Sequence, residues 1–273
     1  ASVLSLPASF VFASFNLVCA QTYNIIDFGA KPGASFVNTD PINNAINQCS
    51  SLGGGTVIIP KGNFITGTIH LKSNVNLNLE RGSVLIGSQD INNYDIMPEG
   101  YYYSGKNYMG ILFANNVINV SITGKGIIDG RGTFFMEKKT RFIPSKEERK
   151  YTRQKEKYQN TFELEDGPLK FSERPGHILT ISNAENVIIQ DIHFLDAPKW
   201  TIRIGGSDNV KISEITINNN LLIPNSDGIH ITSSSNVNVS NSNVIAGDDA
   251  LIVTGFFLGL EKYTYGNNSK EAK

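Results

Sequence analysis

Two short segments hold the acids with the most chemical promise: Asn225-Ser226-Asp227-Gly228 and Gly247-Asp248-Asp249. Asp227 stands 21 residues before Asp248 and 22 before Asp249. That interval matches a repeat in the chain, so the three carboxylates are expected on one surface of a coiled β structure. Cleaving a glycosidic bond needs such a set. A protonated carboxyl assists the departing oxygen, and an ionised one activates water or attacks directly. Crowded negative charge raises the pKa of one member and keeps its proton near neutral pH. Acids on adjacent coils, offset by a side chain, can reach the roughly 6.5–9.5 Å that an inverting pair requires. Each segment alone is also a good turn sequence, because Asp side chains bond local backbone amides. A calcium site is the other reason to gather acids, since hard oxygen ligands cluster in this way.

The elements that must position these acids are short β runs. Thr56–Ile59, Ile65–Leu71, Val75–Leu79 and Ser83–Ile86 are each bounded by Gly, Asn or Pro. Asn-Val then recurs at 186–187, 209–210 and 236–237, with earlier copies at Asn74-Val75 and Asn116-Val117. Leu179/Ile181, Ile202/Ile204, Ile229/Ile231 and Leu251/Val253 form a second series at matching offsets. Such a period, with no helical pattern between strands, predicts an all-β chain folded as a parallel β-helix, a single solenoid. Four residues before Ile181, Ile204, Ile231 and Val253 stand His177, Trp200, Asp227 and Asp249, which should form one column. Arg203 and His230 lie within the strands beside it. Trp200, the only Trp, suits a sugar platform or a plug between coils. His177 reads as a polar residue at the start of a strand. Arg203 and Lys199 are candidates to meet a substrate carboxylate.

Ahead of the coils, Thr39-Asp40-Pro41 opens a short capping helix, with Asp40 as the cap and Pro41 in the first helical position. Ile42, Ala45, Ile46 and Cys49 form its apolar face, and Gly53-Gly54-Gly55 ends it. The pattern breaks at about 134–175. Residues 137–174 hold 11 Lys/Arg against 8 Asp/Glu. This charged excursion reads as a solvated surface insertion, part helical from Ser145 to Tyr158; the alternative is a wall of the cleft that offers cations to an anionic polymer.

Residues 1–20 carry no charge and end in Val18-Cys19-Ala20, which reads as a secretory leader cut before Gln21. The β-helix domain is then 21–273. The missing Met and the polar 254–273 suggest a sequence that begins late and stops before the solenoid closes. The expected location is extracellular or periplasmic. Net charge is -1, so composition gives no pull toward nucleic acid or membranes. Without the leader Cys49 is the remaining cysteine, and no intrachain disulfide can form.

The chain resembles glycoside hydrolase family 28, the polygalacturonases and their relatives. The likeness rests on Asp27-Phe28-Gly29-Ala30, Gly53-Gly54-Gly55 with Pro60-x-Gly62, and Gly124-x-Gly126-x-Ile128-Asp129-Gly130. It continues through Arg174-Pro175, Ala197-Pro198-x-Trp200 and the two acidic segments. The resemblance implies a right-handed, pectin-lyase-like β-helix that hydrolyses pectic polysaccharide with inversion and without a metal or other cofactor. It gives Asp248 the general-acid role and gives Asp227 and Asp249 the water. Asn225 shapes the site, with Trp200, Arg203 and His230 as substrate-binding candidates. A monomer acting on polymeric substrate is expected. The family's Gly-His-Gly and Arg-x-Lys segments, which follow the acidic pair, do not occur before Lys273. A rhamnogalacturonan or other pectic-branch hydrolase, a calcium-dependent pectate-lyase-like β-helix and a non-catalytic glycan-binding β-helix therefore stay open.

Overall fold

The computed structural model describes residues 21–97, 107–141, 168–171 and 173–255. The expected leader, the Ser145–Tyr158 stretch and the tail beyond Gly255 lie outside these residues.

The repeating β runs wind into a right-handed parallel β-helix with three sheets. One seven-stranded sheet begins at Thr22–Asn24 and ends at Ser235–Ser240. A second begins at Gly33–Val37 and ends at Asn243–Ile245. The third carries the site. It stacks Ile69–His70, Leu112–Asn115, Leu179–Ser182, Ile202–Gly205, Ile229–Thr232 and Leu251–Thr254 in that order. Every pairing in these sheets is parallel, so each coil adds one strand to each face.

The register follows the apolar alternation. Ile181, Ile204, Ile231 and Val253 are Cα partners in succession. Leu179, Ile181, Ile202 and Ile204 are fully buried, and alternate residues of the same strands face away from this core. The Asn of the Asn-Val repeat turns the chain into the first sheet with positive φ, which Asn tolerates better than most residues. Its amides join coil to coil. Asn119 Nδ2 donates to Asn74 Oδ1 at 2.8 Å, Asn186 to Asn119 at 3.0 Å, and Asn209 to Asn186 at 2.7 Å.

This ladder corrects the repeat at one point. Val120, and not Val117, is the partner of Val187. Asn116 belongs to a different turn column with Asn183, Gly206 and Ser233, all at positive φ. The expected strand Ile65–Leu71 is also two strands, Gly62–Thr66 and Ile69–His70, on different sheets. The break is at Gly67, where a Cβ would fall 1.6 Å from the Asn93 carbonyl oxygen.

The helix spans Thr39–Ser51 and caps the first coil with Ile42, Ala45, Ile46 and Cys49 fully buried. Burial raises the Cys49 thiol pKa, in keeping with a core thiol. Asp40 is not the cap. Asn38 holds that position, and its amide instead ties the incoming loop through Lys31 and Phe36. Pro41 sits in the first turn, where a missing N–H costs little.

The excursion leaves the turn between the second and third sheets. Its two ends pair antiparallel as Met136–Arg141 and Leu169–Phe171. Leu169, Met136 and Ile223 form a small core under that ribbon, so it is seated on the turn that leads to Asp227.

Candidate active site

The acidic segments lie on successive turns between the second and third sheets. The expected column is present as a backbone ladder. Ile178 N donates to Trp200 O at 3.2 Å, Thr201 N to Asp227 O at 2.8 Å, and Gly228 N to Asp249 O at 2.9 Å. His177, Trp200, Asp227 and Asp249 therefore stand one per coil. Gly228 permits this approach, since a Cβ would lie 2.3 Å from the Ala250 carbonyl oxygen.

The backbone of Asp227 is held from inside. Thr201 Oγ1 donates to its carbonyl at 2.9 Å, and the buried Asn219 amide reaches Thr201 Oγ1 at 2.8 Å and Ser226 O at 3.0 Å. The Asp227 side chain meets His230 Nε2 through Oδ2 at 2.6 Å, with both groups buried. Trp200 stacks between two imidazoles. Its ring centroid lies 3.5 Å from that of His230 and 4.6 Å from that of His177. The Arg203 guanidinium lies over the same indole at 5.4 Å.

Asp248 and Asp249 are exposed on the last coil described. Asn225, in the left-handed conformation, brings Nδ2 to 3.5 Å from Asp248 Oδ2. Partial burial raises the Asp248 pKa first, and the charges of Asp227 and then Asp249 raise it further. Asp248 thus holds its proton more readily than a free carboxyl does.

A cavity of ≈ 360 Å³ opens beside the column. Asn225, His177, Lys199 and Arg174 line it, with Tyr108 and Asn107 from an earlier coil. Arg174 donates from Nη1 to Pro198 O and Pro224 O, both at 2.7 Å, so it ties two site turns together. Burial lowers its pKa to about 10, which still leaves a cation. Burial, aided by Arg174 and Arg203, lowers the Lys199 amine to about 8. His177 is pushed well below the usual imidazole range by burial and by the surrounding cations, Lys199 foremost, and so stays neutral. Among the described residues no group of three or more His, Cys, Asp or Glu is arranged to hold a metal ion.

The structure brings together Asp227, Asp248, Asp249, Asn225 and Trp200. It also brings in His230 and Arg203, which like Asp227 are buried: His230 bonds Asp227 and Arg203 lies over Trp200. Sequence reasoning missed Asn219 and gave Arg174 no role of its own. The run Asn218-Asn219-Asn220 was the available signal for the first, and the return of the excursion to the column was the signal for the second.

Comparison with known proteins gives this geometry a family. An Exo-poly-alpha-D-galacturonosidase of Dickeya chrysanthemi is 30% identical over 261 residues, covering 85% of this chain and 41% of that protein. The Family 28 Exopolygalacturonase of Yersinia enterocolitica superposes with a TM-score of 0.69 at 24% identity, covering 92% of this chain and 47% of the other. The hyperthermoactive Exopolygalacturonase of Thermotoga maritima gives 0.66 at 25% identity over 85% of this chain and 54% of the other. The chain spans about half the length of the curated relatives it matches. The family profile of the glycosyl hydrolases family 28 matches residues 49–257, which include all three acids and the solenoid strands from Gly55–Ile59 onward. By that match, and by a parallel β-helix that carries the three acids on adjoining coils, the chain belongs to glycosyl hydrolases family 28.

Proposed function

We propose that the protein is a secreted hydrolase of pectic polysaccharide that cleaves α-1,4-galacturonosyl bonds with inversion. The observation that carries this reading is the meeting of Asp227, Asp248 and Asp249 on adjoining coils of the ladder, where partial burial and then the other two charges raise the Asp248 pKa. Asp248 gives its proton to the glycosidic oxygen as the C–O bond breaks. Asp227 and Asp249 hold a water and take its proton as its oxygen bonds the anomeric carbon. An inverting acid and base stand roughly 6.5–9.5 Å apart to admit that water, which carboxylates on adjacent coils reach only when their side chains are offset.

Arg174 and Lys199 in the neighbouring cavity support an anionic sugar, because both present positive charge beside Asn225. The relatives' names support the same substrate class. The apolar 1–20 supports secretion. Among the described residues no helix is long and apolar enough to cross a membrane.

The test is digestion of polygalacturonate by the full-length protein. New reducing ends that form equally well with a chelator present are expected. An unsaturated, ultraviolet-absorbing product that requires calcium would replace this reading with a lyase. Polymer binding without cleavage would replace it with a glycan-binding role.

The charge of Asp249 makes a separate prediction. It raises the Asp248 pKa, so its removal makes Asp248 ionise at lower pH. Activity that depends on protonated Asp248 falls as pH rises through that value. Asp249→Asn should therefore move the alkaline limb of the kcat/KM profile to lower pH, besides reducing the rate. An alkaline limb that stays in place would separate Asp249 from the acid.

A further inference from the structure

The bond between His230 and Asp227 has a consequence for the reaction, and it rests on the hydrolase reading above. In the hydrolase reading Asp227 acts as an ionised base, and a carboxylate in that state only accepts hydrogen bonds; the imidazole nitrogen at 2.6 Å from Oδ2 is then the donor. It is the one hydrogen bond that the Asp227 side chain makes among the described residues. Its Oδ1 is enclosed and has no protein partner there. A buried carboxylate with no donor takes up a proton instead of keeping its charge. Asp227 in that state could not draw a proton from water.

The imidazole itself is fixed. It lies in the strand Ile229–Thr232, between Arg203 and Ile252 on the neighbouring strands, and its face is packed on Trp200. Such support leaves little freedom to the ring or to the carboxylate it grips.

We propose that His230 is the positioning residue for Asp227: its Nε2–H holds Oδ2, keeps the carboxylate ionised and aims it at the water, while Trp200 locks the imidazole in place. His230 thus acts through Asp227 and does not bind substrate. The other charged or titratable groups that face the pair are Arg174, Lys199 and Asp248 toward Asp227, and Arg203 and His177 toward His230.

The experiment compares His230→Leu and His230→Gln in the full-length protein. Gln keeps a donor at the end of its side chain and Leu does not. For Leu, kcat/KM on polygalacturonate should fall by about 10²-fold, the loss expected when a catalytic group is misplaced. Its acid limb should move to higher pH, because a carboxylate deprived of a donor is harder to ionise. Gln should stay within about fivefold of the parent, on the scale of one neutral hydrogen bond, with the limb in place. Equal losses in both variants with an unmoved acid limb would reduce His230 to packing and overturn the proposal. A second readout needs no activity. Nitrogen-15 NMR of the parent should show a slowly exchanging, hydrogen-bonded Nε2 proton on His230 that vanishes in Asp227→Ala. Its absence from the parent overturns the proposal, whether or not the protein proves to be a hydrolase.

Discussion

Asp248→Asn should lower kcat on polygalacturonate by about 10³-fold or more, because general acid catalysis contributes about 10²–10⁴. The amide keeps the shape and the contact with Asn225 but has no proton to give to the leaving oxygen. Binding of the polymer should change little, so the loss falls on kcat. The same variant makes a stability prediction of opposite sign. The folded-state pKa of Asp248 is raised. Stability linked to this group is therefore fully present below the unfolded carboxylate pKa and is lost as pH rises through the folded value. Above that value an ionised Asp248 opposes folding beside Asp227 and Asp249. Asn removes that opposition, so the variant should melt no lower than the parent at alkaline pH, and any gain should vanish in acid. Thermal melts at the two pH values check it. A variant with parental kcat would remove Asp248 from the acid role.

Ile204→Ala should be among the most damaging core changes. Ile204 is fully buried and lies in register between Ile181 and Ile231. Truncation of such a residue costs about 2–5 kcal/mol, part from lost transfer energy and part from the cavity left behind. Packing in a solenoid passes from coil to coil, so the void weakens the interfaces on both sides. The strand also holds Arg203 and follows Trp200, so activity should fall with stability. Ile188→Ala is the control. Ile188 is 40% exposed on the first sheet, and its loss should stay within about 0.5 kcal/mol. Urea unfolding of the two variants measures the difference. A gap below about 1 kcal/mol would mean that the alternation was assigned to the wrong face.

The solenoid and the acidic column were legible because both are periodic. Ile181, Ile204, Ile231 and Val253 repeat at one position of every coil, and the residue four before each follows automatically. Periodicity failed where two similar dipeptides stood close together. Asn116-Val117 and Asn119-Val120 differ by three residues, and both asparagines have positive φ. Both valines are buried in the core, so burial does not settle the register; the strand pairing does, with Val120 the partner of Val187. The helix cap was misread because Asn38 spends its amide on the preceding loop, a contact that no local pattern encodes. His230 was marked as near the site, yet its role was not readable. Alternation put it on the outer face, and the cover supplied by Trp200 arises from stacking across coils. Arg174 likewise acts through carbonyl groups of other coils, and Asn219 through the Thr201 hydroxyl of the coil before and the Ser226 carbonyl of its own turn.

The most direct test of the account is the anomeric form of the first product. Proton NMR of polygalacturonate digestion by the full-length protein, recorded before the anomers equilibrate, distinguishes the two stereochemical outcomes. Cleavage of an α bond by water activated at Asp227 and Asp249, with Asp248 as acid, must deliver the β anomer first. If the α anomer comes first, one carboxylate attacks the sugar directly, and the roles assigned to the three acids are wrong.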